Sequence, residues 1–127
     1  MNTETHGRDA DVASPPAPHP LRRLAAGLML LSGVTHVTQL AVYGTERSAV
    51  GASLFGAVYF VIGLLLLGRG KAALVLGTVL PTIGGVLGVY RFFGLHANPF
   101  SVFHVALDLM VVPACIYLLQ RFPSRHR

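Results

Sequence analysis

Four apolar runs, each close to the length that crosses a bilayer, constrain this chain more than anything else in it. A spanning helix rises about 1.5 Å per residue and needs about 20 predominantly apolar residues. Residues 24–43, 72–93 and 100–119 meet that requirement, and 50–67 is slightly short but carries no charge. The links near 44–49, 68–71 and 91–99 are brief. Brief links favour antiparallel neighbours. The sequence therefore predicts an all-α integral membrane protein: an up-down four-helix bundle over residues 21–122, with a disordered N-terminal tail at 1–20 and a short basic tail at 123–127.

Composition points the same way. The chain is 53% hydrophobic and 12% charged, against about 25% charged in soluble domains. Its net charge of +5 raises nucleic acid as a partner. The basic residues gather at span ends, however, and form no stripe with interleaved aromatics, so nucleic acid is set aside in favour of the lipid bilayer. Arg22 and Arg23 precede the first span, Arg69 and Lys71 fill the second link, and Arg121, Arg125 and Arg127 follow the fourth. Lys and Arg accumulate on the cytoplasmic side. Both termini and the second link are thus expected in the cytoplasm, in a bacterial or archaeal cytoplasmic membrane. The first span is expected to be retained: its apolar run is too long for a signal peptide, and no small-x-small cleavage pattern follows it.

The tail is polar and Pro-rich, and it offers too little apolar surface to order itself. His6 and His19 read as solvated tail residues. Cys115 is the single cysteine, which rules out an internal disulfide, and its apolar surroundings make it a packing residue. Asn98 is placed to cap the fourth helix. His96 lies in the third link, where a role as a lid ligand is the minor reading.

Lipid supplies no hydrophobic force between helices, so small residues and polar contacts must hold a bundle together. In the third span Gly77, Pro81, Gly84, Gly88 and Arg91 alternate spacings of four and three and share one face. In the second, Ala52, Gly56, Tyr59 and Gly63 do likewise. Close packing within one chain is the expectation, with a dimer seam or a slot for a flat ligand as alternatives. Pro81 and Pro113 are expected to kink their helices, the latter freeing the Leu109 carbonyl near Asp108.

Asp108 is the only acidic residue in the spans. A charge at such depth costs about 2.5–3.5 kcal/mol on insertion scales, which makes it a site hypothesis by default. His104 precedes it by one turn, and His36, Gln39 and Tyr43 form a polar stripe on the first helix. Helical rise puts His36, Tyr59 and Asp108 in one layer, about 10–13 Å below the outer surface, with Gln39 and His104 at about 6 Å. The sequence therefore predicts an outward-facing polar pocket built from His36, Gln39, Tyr59, Arg91, His104 and Asp108. The expected role is binding of a small ligand or cofactor as an accessory membrane component.

Several chemistries compete for those residues. His36, His104 and Asp108 form a sensible ligand set for zinc or non-haem iron. His36 and His104 could be axial haem ligands, with Gly84 and Gly88 leaving room for the macrocycle. A quinone would need only His, Tyr or Gln donors. The bland alternative is polar glue, with Asp108 bonded to His104, His36 or Tyr59 in a homo-oligomer or as a structural subunit of a larger membrane complex. A transporter or proton-relay role comes third. No nucleophile elbow, phosphate loop or carboxylate pair is present, so no catalytic residue is named. The four-span layout resembles that of many small bacterial membrane proteins, the DoxX-like group among them; the likeness is one of layout, and no residue role is carried over from it.

Overall fold

The computed structural model describes residues 18–95 and 97–122. The expected disorder of the tail, and the roles considered for His6, His96, Arg125 and Arg127, lie outside the described residues. Four helices run in order: α1 (Pro20–Tyr43), α2 (Arg47–Leu67), α3 (Lys71–Gly94) and α4 (Pro99–Gln120). All four are long and apolar enough to cross a membrane, and the described residues contain no strand. The chain is an integral membrane protein with a four-helix bundle.

Each helix is longer than its apolar run, and the ends show why. Pro20 and Pro99 occupy first-turn positions, where a missing N–H costs nothing. Asn98 Oδ1 accepts from the Phe100 N–H at 2.8 Å, the cap expected from sequence. His19 is a cap as well: its Nδ1 accepts from the Leu21 N–H at 3.2 Å. His19 is exposed, as its reading as a solvated residue expects, and the cap is a role that reading did not include. Gly44 ends α1 with φ +65°, a conformation in which a Cβ would be strained.

In the bundle α1 packs chiefly on α2 and α3 on α4; α1 meets α4, and the α2–α3 seam is the loosest. Bare backbone makes the close crossings. A Cβ on Gly33 would lie 2.8 Å from the Gly56 carbonyl oxygen, and one on Gly63 would lie 2.8 Å from Leu30 Cγ, both across the α1–α2 crossing. Between α3 and α4, a Cβ on Gly77 would lie 2.9 Å from Cys115 Sγ, and one on Gly88 would lie 2.8 Å from Val105 Cγ2. This van der Waals fit is what lipid-embedded helices rely on. Both helices continue through their internal prolines, Pro81 and Pro113.

The interior divides along the bundle axis. One half is a dry core of Ala25, Ala26, Met29, Ile62, Leu66, Ala73, Leu74, Val111, Cys115 and Leu118, with Tyr59 at its edge. Arg22 secures the end of that half. It is only 5% exposed, and it donates from Nε to the Leu66 carbonyl and from Nη2 to the Gly70 carbonyl, both at 2.8 Å. The last carbonyls of a helix have no partner within it and carry the negative end of its dipole. A buried guanidinium from α1 satisfies that end of α2, a role beyond the topological one its position in the sequence implied. The other half, holding the end of α1, the start of α2, the end of α3 and the start of α4, is hollow.

Candidate ligand cavity

The hollow half contains a cavity of about 200 Å³ reached by side chains from all four helices. α1 contributes His36 and Gln39; α2 contributes Gly51, Ala52, Phe55 and Tyr59; α3 contributes Gly84, Leu87, Gly88 and Arg91; α4 contributes Ser101, His104 and Asp108. All six residues named from sequence line this one cavity. Tyr43, the last member of the α1 stripe, instead packs against the Phe100 ring, with centroids 6.0 Å apart.

The two histidines are held by their own helices. His36 Nδ1 lies 2.9 Å from the Ser32 carbonyl oxygen, and His104 Nδ1 lies 2.6 Å from that of Phe100. A carbonyl only accepts, so both Nδ1 atoms carry the hydrogen, and in the neutral rings Nε2 is left as the acceptor. His104 Nε2 faces Thr35 Oγ1 at 2.9 Å, where the hydroxyl hydrogen is also within reach of the Leu31 and Ser32 carbonyls. No hydrogen bond to His36 Nε2 is formed among the described residues. The rings touch, with centroids 3.6 Å apart and planes inclined by 47°.

Asp108 is 5% exposed, and its Oδ1 is buried with no hydrogen-bond partner among the described residues. The i, i+4 spacing makes His104 one of the expected partners, yet His104 spends its nitrogens on Phe100 and Thr35. The Tyr59 hydroxyl interacts with the carboxyl but also reaches the Leu80 carbonyl, in a long bond of 3.4 Å. Gly85 lies over Oδ2, its Cβ position 3.7 Å away. Arg91 is six residues further along α3, about 9 Å by helical rise. The acidic and the basic side chain of the cavity thus come from α4 and α3, and no ion pair between them is formed among the described residues. Asp108 also borders a second, apolar groove of about 420 Å³ on the outside of α3 and α4, between Pro81, Val89, Val105 and Pro113.

This geometry bears on the candidate cofactors. Among the described residues no three His, Cys, Asp or Glu side chains gather so as to hold a metal ion. His36 and His104 meet, but Asp108 turns to Tyr59. Two imidazoles in van der Waals contact leave no gap for a haem between them. The volume also lies below the roughly 300–1,000 Å³ typical of drug-sized ligands. A single substituted ring is within its capacity.

Sequence reasoning missed Thr35 and Ser101. Ser101, His104 and Asp108 are spaced three and four apart, so Ser101 was legible as the top of the α4 stripe. Thr35 is one turn before Gln39, at the edge of the α1 stripe, but its hydroxyl can bond back to its own helix, and the orientation of α4 is what brings His104 to it. Comparison with known proteins finds no matching family model, no similar curated protein and no similar solved structure.

Proposed function

We propose that this protein is a small-molecule binding component of a bacterial or archaeal cytoplasmic membrane, with both termini in the cytoplasm and the cavity in the outer half of the bilayer. The observation that carries the reading is Asp108 Oδ1, buried beside a cavity without a hydrogen-bond partner among the described residues. An unmet buried acceptor costs about 1–3 kcal/mol, and more when charged. The Tyr59 contact engages the carboxyl from α2, but it leaves Oδ1 unmet, and packing alone gives no reason to keep that atom. A ligand that hydrogen-bonds there supplies one. The positions of Lys and Arg support the orientation.

Native mass spectrometry of the full chain, purified in mild detergent, tests the reading. The expected result is a small organic adduct on the wild type that is missing from Asp108→Leu, with both proteins folded. Identical spectra, together with a less stable Asp108→Leu, would make Asp108 a packing residue and favour a structural subunit.

A further inference from the structure

The way into the cavity narrows the class of ligand. The cavity edge includes Gly51 and Leu87. Leu87 is 54% exposed, and a Cβ added at Gly51 would meet nothing within 4 Å. These residues border the same cavity from α2 and from α3, whose seam is the loosest of the bundle. Gly51 is four residues inside the start of α2 and Leu87 seven before the end of α3, about 6 and 10 Å from those ends by helical rise. Gly51 is one residue inside the second apolar run and Leu87 six before the end of the third, about 1.5 and 9 Å by helical rise, so the opening is lateral and runs from the outer rim down into the apolar zone. On the α1–α4 side of the rim, Tyr43 and Phe100 pack ring against ring.

The lining then specifies the head. Four of its side chains are rings, from His36, Phe55, Tyr59 and His104, and rings favour offset or edge contact with another ring. The unpartnered Asp108 Oδ1 and His36 Nε2 need a group that can donate; a hydroxyl donates to a carboxylate and can equally accept from a carboxylic acid. Arg91 lines the same cavity from nearer the end of α3 and is the one cationic donor among its side chains.

We infer that the ligand is a membrane-dissolved amphiphile, a single ring carrying hydroxyl groups on an apolar chain, which reaches the cavity sideways between Gly51 and Leu87. This rests on the reading of the cavity as a ligand site. The ring lies among the four aromatic side chains, its inner hydroxyl on Asp108, and the chain leaves through the α2–α3 seam into lipid.

The test uses the full chain in phosphatidylcholine nanodiscs, with equilibrium binding and thermal midpoints measured for three probes: decylhydroquinone, its dimethyl ether, and hydroquinone without a chain. Decylhydroquinone is expected to bind the wild type saturably and raise its midpoint. Binding is expected to fall about tenfold or more for the dimethyl ether, for the chain-free ring and in Asp108→Leu, the scale of a lost hydrogen bond to a charged group. Gly51→Trp, which adds a side chain where space is open, is expected to weaken decylhydroquinone by a similar factor while the protein stays folded. Equal binding of decylhydroquinone and its ether overturns the ring-hydroxyl assignment. Wild-type binding by Gly51→Trp overturns the lateral route but leaves the cavity reading standing. If no probe binding depends on Asp108, the ligand class is overturned, and an Asp108-dependent adduct of other chemistry would still uphold the cavity.

Discussion

His36 and His104 meet ring to ring across the α1–α4 interface, with centroids 3.6 Å apart, and each donates its Nδ1–H to a carbonyl one turn earlier in its own helix. Their nitrogens are oriented by the helices that carry them, and no common point between the rings is left for an ion. Treatment with a strong chelator is therefore expected to leave the thermal midpoint of the purified protein unchanged, and elemental analysis is expected to find no stoichiometric zinc or iron. A stoichiometric metal that disappears in His36→Ala would show that the rings separate to bind it.

His104 also joins α4 to α1 through Thr35. Thr35→Val keeps the shape and removes the hydroxyl, so it isolates that bond. Interhelical hydrogen bonds in membranes contribute about 0.6–2 kcal/mol, and a loss of that size is expected in reversible unfolding from mixed micelles. His104→Ala is expected to cost more, because it also vacates the ring contact with His36. A Thr35→Val variant as stable as the wild type would mean that the Thr35 hydroxyl is satisfied by the Leu31 and Ser32 carbonyls alone.

Asp108 separates site from scaffold by the sign of a stability change. A residue retained for packing loses stability when replaced. One retained for a ligand is paid for in stability and relieves it when removed. Asp108→Leu takes away an unpartnered acceptor and returns an apolar side chain to the interior, so a gain of about 1–3 kcal/mol is expected in detergent unfolding without added ligand. A loss of similar size would show that the Tyr59 contact is a structural bond and that the carboxyl is glue.

Much of this was readable from the chain because a bilayer leaves few choices. Apolar length gives the helices, and helical rise alone puts His36, Tyr59 and Asp108 in one layer, so the six cavity residues could be grouped before any coordinates. What could not be read was the rotation of each helix about its axis. Spacing leaves His104, His36 and Tyr59 open as partners of Asp108; both nitrogens of His104 go elsewhere, to Phe100 and across to Thr35, and Tyr59 is the one that meets the carboxyl. Charge counting makes Arg22 a topology signal, while its burial depends on where the end of α2 falls beside α1. These are tertiary facts, decided by packing angles that a one-dimensional pattern does not carry.

Arg22 gives a third stability prediction. Its two bonds to the Leu66 and Gly70 carbonyls join the start of α1 to the end of α2 and the link beyond it. Arg22→Met keeps the stem and deletes the donors, and a cost of about 1.5–3 kcal/mol is expected for bonds to a charged group. Arg22→Lys reaches at most one carbonyl with good geometry, because a point-like ammonium lacks the planar fork, so its cost is expected to be intermediate. Equal stability of the wild type and Arg22→Met would mean that water satisfies those carbonyls once the guanidinium is gone.

The crossing of α3 and α4 is tested by Gly77 and Cys115 together. Cys115 is fully buried, and a Cβ on Gly77 would lie 2.9 Å from its sulfur. Gly77→Ala is expected to cost about 1–3 kcal/mol through overpacking, despite the better helix propensity of alanine. Cys115→Ala removes the sulfur and is expected to be mild on its own, and to restore part of the stability lost in Gly77→Ala. The coupling between the two sites is expected to be about 0.5–3 kcal/mol and favourable in the double variant, as for residues in direct contact. Additive effects in that cycle would mean that the Gly77 penalty arises against Leu66, the other side chain at this position, and that α4 lies further from α3 than the structure places it.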